Sequence, residues 1–429
     1  MKILIKNGIV LDPEQDIEKK LDILIENGKI TKIAEKINLK PNNLIINAKS
    51  YIVSPGLIDI HTHLREPGNE EEETIASGTI AAAAGGITSV FCMPNTQPPI
   101  DDQTSVEFVM LKAKSEGVVN VFPVGAITKN RQGEELTEIG ELKKAGVVAI
   151  SDDGEPISNS KIMRRALEYA RMFDLTVISH CEDKLLTKGG VINEGRVSTL
   201  LGLRGMPKEA EEIMVMRDII LASLTLGKLH ITHVSTKNSI NFIRHAKQNG
   251  LQITCDVTPH HFTLSEDEIE KQPYNTNLKM NPPLRTHEDV KALIEAIKDD
   301  TVDCIASDHA PHTVEEKNKE FDLAPFGIIG LETLLPLSIT YLYHKEKLPL
   351  KNIIKKLATN PARIFKLKDK GSLKIGYDAD ITIFDPYKEF VVKSFSSKSS
   401  NSPFIGWKLK GKVKYTICKG NIVFKDKNN

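Results

Sequence analysis

Short apolar runs of strand character alternate with helical runs through the middle of this chain, and that rhythm narrows the possible architectures more than any other feature. Strands are predicted at Ser89–Met93, Asn120–Val124, Val147–Ser151, Val177–His180, Leu229–Val234, Gln252–Val257 and Cys304–Ser307. Helices are predicted at Ser105–Ser115, Lys161–Phe173, Met214–Leu226, Ser239–Asn249 and His287–Lys298. Repeated βα units demand a parallel sheet, because each strand must be re-entered from the same end. A doubly wound sheet would carry a glycine-rich phosphate loop after an early strand, and neither G-x-G-x-x-G nor a Walker sequence is present. The expectation is an α/β fold, a distorted (β/α)8 TIM barrel over residues 55–370, with its chemistry at the C-terminal ends of the strands.

The two chain ends read differently. Residues 1–54 alternate apolar and polar positions, with Asn7-Gly8 and Asn27-Gly28 as turn signals, and predict a run of hairpins. Residues 371–429 repeat the style in Ala379–Asp385 and Lys412–Val423. Neither piece is large enough to bury a core alone, so the two are expected to fold together as one small composite β-sandwich domain.

Chemistry-bearing residues gather where the barrel strands should end. After Ser54-Pro55-Gly56, the run Leu57–Leu64 contains His61-Thr62-His63, and a period of two puts both imidazoles on one side of the strand. Asp153, His180, His233 and Asp308 close four later apolar runs, with Gly154, Ser235 and Pro311 as punctuation after Asp153, His233 and Asp308. Four imidazoles and two carboxylates suit one or two transition-metal ions with an open position for water, and hence hydrolysis. Asp153 is the candidate bridge between two ions. Asp308 is the candidate general base, taking a proton from water and returning it to a leaving nitrogen.

Composition supports a small-molecule enzyme. Among 429 residues, 57 basic and 57 acidic side chains cancel, so the chain lacks the electrostatic footprint of a nucleic-acid or anionic-membrane partner. No apolar stretch approaches the ~20 residues that span a bilayer, and MKILIKNGIVLDPEQ reads as a strand rather than a signal peptide, so a cytoplasmic enzyme is expected. The five cysteines are scattered with no C-x-x-C pair and are expected in the core.

Taken together, Pro55-Gly56-Leu57-Ile58-Asp59-Ile60-His61-Thr62-His63-Leu64-Arg65-Glu66-Pro67-Gly68, Cys92-Met93-Pro94-Asn95-Thr96, Asp152-Asp153-Gly154, Asn281-Pro282-Pro283-Leu284-Arg285 and Ser307-Asp308-His309-Ala310-Pro311-His312 resemble the amidohydrolase superfamily. Within it they resemble the long-chain bacterial dihydroorotases, over essentially the whole chain. The resemblance implies zinc-dependent, reversible cyclisation of N-carbamoyl-L-aspartate to (S)-dihydroorotate in pyrimidine synthesis. It implies Zn2+, two ions favoured, one held by His61, His63, Asp153 and Asp308 and a second by Asp153, His180 and His233. Arg65, Asn95 and His312 are implied to hold the substrate carboxylate, and Asn281 with the backbone near Phe326 and Gly327 to contact the ring amides. Homo-oligomers and association with aspartate transcarbamoylase are implied as possible partners.

Hydantoinases, allantoinases and some dihydroorotases of the superfamily bridge their metals with a carboxylated lysine. Here the matching strand end is Ser151-Asp152-Asp153, and Lys143 and Lys144 belong to a preceding helical stretch. This departure argues against the hydantoinase alternative, and the intact ligand set argues against a non-catalytic scaffold. His260 and His261 are expected to support ligands or structure, whereas His230, His245, His287, His309 and His344 read as structural. Arg65 lies two residues past His63 and so is expected on the same side of the strand end. The charged run Thr313–Glu320 is expected to be a solvated lid between His312 and Phe326-Gly327.

Overall fold

The computed structural model describes residues 2–38 and 44–427. Eight parallel strands follow one another around a barrel: Leu57–Thr62, Ile87–Cys92, Asn120–Gly125, Ala149–Ile150, Thr176–Ser179, Lys228–Ile231, Ile253–Val257 and Cys304–Ile305. Side-chain and backbone bonds close the ring between its first and last strands. The Asp59 carboxylate accepts from Ser307 N at 3.0 Å, and His63 N donates to His309 O at 2.9 Å. Asp59 is fully buried, and burial pushes its carboxyl up to about 6.

Two of the predicted strands shrink to two residues each, Ala149–Ile150 and Cys304–Ile305. Side chains take over where the ladder stops. Asp152 Oδ1 accepts the backbone N–H groups of Ile127 and Thr128, and Asp59 captures that of Ser307, so the chain is steered out of the sheet just before Asp153 and Asp308. The barrel interior is filled by Ile58, Ile60, Phe91, Val124, Ile178 and Ala306, with Phe365 packed edge-on against Phe91 at 4.8 Å between ring centroids. The outer helices are capped as their sequences suggest: Asn159 caps Ser160–Met172, Thr236 caps Lys237–Gln248, and Thr286 with Asp289 forms a capping box on His287–Lys298.

The chain ends build one continuous eight-stranded sheet. Ile52–Pro55 pairs antiparallel with Ile381–Val391, joining the N-terminal strands to Lys408–Cys418 and Asn421–Lys425. Ile3, Ile5, Ile23, Ile25, Val53, Ile381, Ile383 and Ile417 form its own core, drawn from both ends of the chain. Asn27-Gly28 makes the expected turn, with φ of 50° and 77°. Asn7-Gly8 does not. It is a bulge within the single strand Lys2–Asp12, where Asn7 takes φ 63° and a Cβ on Gly8 would lie 2.4 Å from Val53 Cγ2. A turn-forming dipeptide therefore serves close strand approach instead.

All five cysteines are buried, and no helix among the described residues is long and apolar enough to cross a membrane. Residues 396–401 run back from the terminal sheet to the barrel mouth. Glu332 and Glu73 accept backbone N–H groups of Ser396, Ser397 and Lys398 and fix that path.

Because Ile383 is fully buried between strands from both chain ends, Ile383→Ala should cost about 2–5 kcal/mol. Thermal denaturation should show a lowered midpoint, and an unchanged midpoint would contradict a shared core.

Candidate metal centre

Every candidate ligand comes from the C-terminal rim of the barrel. His61 lies in the first strand and His63 one residue past it; Asp153, His180, His233 and Asp308 follow the fourth, fifth, sixth and eighth strands. Asp153 is the hub. Its Oδ1 is 3.3 Å from His61 Nε2, 3.7 Å from His180 Nδ1 and 3.7 Å from His233 Nε2, and its Oδ2 is 3.6 Å from His63 Nε2. Asp308 Oδ1 lies 3.2 Å from His63 Nε2 and 3.5 Å from His61 Nε2. His233 and Asp308 hold φ of 38° and 49°, left-handed backbone that costs a non-glycine residue about 1–3 kcal/mol and is maintained by its surroundings.

Three of the four imidazoles have their outward nitrogen engaged, which turns the other one inward. His61 Nδ1 meets Thr232 Oγ1 at 2.6 Å, His63 Nδ1 meets Asn95 Oδ1 at 2.8 Å, and His180 Nε2 meets Glu182 Oε2 at 3.0 Å. Such outer partners set the tautomer and orientation of a ligating ring. Thr232 in turn donates to Asp256 Oδ2 at 2.8 Å, and His230 Nε2 sits 2.9 Å from the same oxygen.

The residues fit a metal. His61 Nε2 and Asp153 Oδ1 are fully buried, face each other, and have no hydrogen-bond partner. Two donor sets, His61/His63/Asp308 and His61/Asp153/His233, each bring three ligand atoms within 4.8 Å of one another. Burial works against charge on Asp153 and Asp308, but the imidazoles around them, His61 foremost, outweigh it and hold both carboxyls well below the usual range. Nitrogen and carboxylate donors of this kind suit zinc and its neighbours.

A cleft of about 230 Å³ opens above this cluster, lined by every sequence-predicted site residue except His61, which is buried at 1% exposure. Arg65 reaches it by a route other than strand alternation. It lies beyond the strand with φ 62°, and its Nε points to Pro311 O at 3.1 Å and Glu72 Oε2 at 2.6 Å, while Nη2 lies 3.3 Å from His312 Nε2. His312 Nε2 is 2.9 Å from Phe326 O. Asn281 Nδ2 donates to Glu182 Oε2 at 2.9 Å. Gly327 takes φ 119°, and a Cβ there would meet Ala310 Cβ at 2.6 Å, so only glycine fits this wall.

Several contributors escaped the sequence reading. Asn401, from the C-terminal segment, accepts from His312 N and donates to Ala310 O and Gly327 O. Glu182 links His180 to Asn281, and Glu72 pairs with Arg65. His261, which the sequence did single out as a support, bridges Thr258 Oγ1 and Pro282 O beside Asn281, while His260 Nε2 has no partner. The run Thr313–Glu320 is not wholly solvated. Val314–Lys317 forms a helical turn capped by Thr313, and Lys317 is buried because its Nζ donates to the carbonyls of Pro325 and Gly327. Lys143 and Lys144 lie exposed on the helix Ile139–Ala145, away from the cluster.

A His/Asp metal cluster on the C-terminal rim of a parallel (β/α)8 barrel, joined to a sheet made from both chain ends, defines a metal-dependent hydrolase of the amidohydrolase kind. The Dihydro-orotase-like family matches residues 50–239, and the Amidohydrolase family matches residues 324–424. The dihydroorotase of Endomicrobium trichonymphae is 55% identical over 426 residues, covering 99% of this chain and 100% of that one. That of Acetivibrio thermocellus is 52% identical over 427 residues, 99% of each chain. The L-hydantoinase (dihydropyrimidinase) structure from Arthrobacter aurescens superposes with a TM-score of 0.89 at 24% identity, covering 99% of this chain and 96% of that one, a likeness of fold. The chain belongs to the dihydroorotase family.

Thr232→Val removes the group that orients His61 while keeping its shape. Zinc titration of metal-free protein by calorimetry should show affinity weakened about 10–100-fold; unchanged affinity would show that His61 needs no such support.

Proposed function

We propose that this protein is a zinc-dependent dihydroorotase that interconverts N-carbamoyl-L-aspartate and (S)-dihydroorotate. The observation that carries this reading is one cleft that joins the Asp153/Asp308 cluster to an end formed by the Arg65 guanidinium beside His312. A cyclic amide bearing a carboxylate needs both halves. His61, His63, Asp153, His180, His233 and Asp308 would hold zinc, which would supply polarisation of the amide carbonyl and a lowered pKa for water.

The protein's own groups do the rest. In the hydrolytic direction Asp308, at the cleft floor beside His61 and His63, accepts the proton of the attacking water. It returns that proton to the ring nitrogen as the carbon–nitrogen bond breaks, and the reverse sequence closes the ring. Arg65 has spent Nε on Pro311 O and Glu72, which leaves its Nη edge for the substrate carboxylate. Asn95 gives its oxygen to His63, so its amide NH2 is the end that remains for the same carboxylate. Asn281 has one N–H on Glu182 and keeps Oδ1 for a ring N–H. Phe326 and Gly327 wall the ring. The same reading carries with it a cytoplasmic place in de novo pyrimidine synthesis.

Metal content by plasma spectrometry, paired with dihydroorotate hydrolysis before and after chelation and zinc re-addition, tests the proposal. Turnover should vanish on chelation and return with zinc. Asp308→Asn should lose about 10²–10⁴-fold in kcat, as removal of a general acid–base group does. Turnover of allantoin in place of dihydroorotate, or activity indifferent to zinc, would refute it.

A further inference from the structure

Two buried lysines stand beside the cleft without touching the metal cluster. Lys279 is 2% exposed and Lys317 6%. Lys279 Nζ donates to the carbonyls of Phe321 at 2.7 Å, Asp322 at 3.1 Å and Ala324 at 2.7 Å, and lies 4.6 Å from the centroid of the Phe326 ring. Lys317 Nζ donates to Pro325 O and Gly327 O, each at 3.0 Å. Gly327 N closes the arrangement by donating to Lys279 O at 3.0 Å. Among the described residues neither ammonium is ion-paired with a carboxylate. Five carbonyls of one irregular segment, residues 321–327, are thus collected by two side chains that come from outside it. Burying such groups is costly and is tolerated only when donors and acceptors are matched.

We propose that Lys279 and Lys317 are positioning residues that clamp segment 321–327 so that its Phe326–Gly327 wall and the His312 bonded to Phe326 O sit correctly for substrate. This rests on the reading above in which that wall contacts the ring. The donor counts match the two environments. Lys279 meets three acceptors, the capacity of an ammonium, whereas Lys317 meets two, the capacity of a neutral amine. The clamp also ties together the two implied ring contacts, because Lys279 stands two residues before Asn281 and its own carbonyl receives Gly327 N. Misplacing a binding wall by an ångström is enough to disturb a reaction held to near-attack geometry.

The test is steady-state dihydroorotate hydrolysis by zinc-loaded Lys317→Met and Lys279→Met, with hydrogen–deuterium exchange over residues 318–327 and zinc content on the same samples. The clamp predicts unchanged zinc content, faster exchange in the segment, and KM raised about tenfold or more with kcat within about threefold, the pattern of lost binding rather than lost chemistry. Lys317→Arg, which keeps donors, should recover most of the KM. Unchanged exchange, or faster exchange with unchanged KM, overturns the positioning role. A wild-type enzyme inactive on dihydroorotate refutes the activity instead, and exchange then judges the clamp alone.

If a methionine variant fails to fold, a pH series on the wild type decides. Burial lowers Lys317 to about 7, with Lys279 adding repulsion and Glu316 opposing, and lowers Lys279 to about 8 against the pull of Asp322; both start from 10.5. Released to water Lys317 keeps its proton, whereas in the clamp it donates only twice, so clamping expels that proton and is favoured as pH rises from about 7 toward 9. Protection of 318–327, corrected for intrinsic exchange, should climb by up to about tenfold per pH unit. A flat profile overturns the clamp.

Discussion

The Asp153 carboxylate, 3.3–3.7 Å from nitrogens of four imidazoles, is the constraint around which this barrel is arranged. A charge buried at 3% exposure is tolerated only if the structure delivers compensation to it from several directions at once. The barrel does this by ending strands at one rim, so that groups more than a hundred residues apart in sequence share a few ångströms. The separations are too long for strong hydrogen bonds, and two of the facing atoms, His61 Nε2 and Asp153 Oδ1, have no partner. Donor atoms held in this way fit a shared metal ion.

Around that hub the support is continuous with the substrate side. His61 leans on Thr232, which leans on Asp256, which also holds His230. His180 leans on Glu182, and Glu182 also receives Asn281. His63 leans on Asn95. Asn95 and Asn281, implied in substrate contact, are therefore hydrogen-bonded directly or through one side chain to the candidate ligands His63 and His180. Glu182 illustrates the electrostatics: burial disfavours its charge, yet His180, Lys184 and Thr187 hold it well below the usual carboxylate range.

What was legible in the sequence was what short periodicities encode. The βα rhythm and punctuated strand ends located His61, His63, Asp153, His180, His233 and Asp308 at one rim, because a strand end is a local event. The pairing of residues 52–55 with 381–384 was anticipated only as a shared domain, since register between distant strands is a tertiary matter. Asn7-Gly8 misled because a turn signature also serves a bulge. The acidic run Glu70–Glu73 drew no reading from the sequence, yet Glu72 pairs with Arg65, and Glu73 is fully buried against His309 and Ser397. Lys317 looked like lid polarity and is core, because its partners are carbonyls ten residues on, which no charge pattern reveals. Asn401 could not be found at all without the fold that returns the C-terminal segment to the barrel mouth.

The superposition on a hydantoinase and the family of this chain together separate what architecture decides from what the site decides. The likeness is one of barrel and composite sheet, and a fold shared in this way does not by itself set the substrate. Glu72 already neutralises the Nε edge of a guanidinium that is 9% exposed, leaving a cationic edge whose remaining donors are directed toward His312. On the proposed reading, a substrate carboxylate would take the Nη donors that otherwise reach only His312 Nε2 at 3.3 Å, and a ring without one would forgo that charge-assisted pairing. On the same reading, the Arg65 edge and the aspartate hub are separate features of one rim, the first suited to a carboxylate and the second to an amide bond.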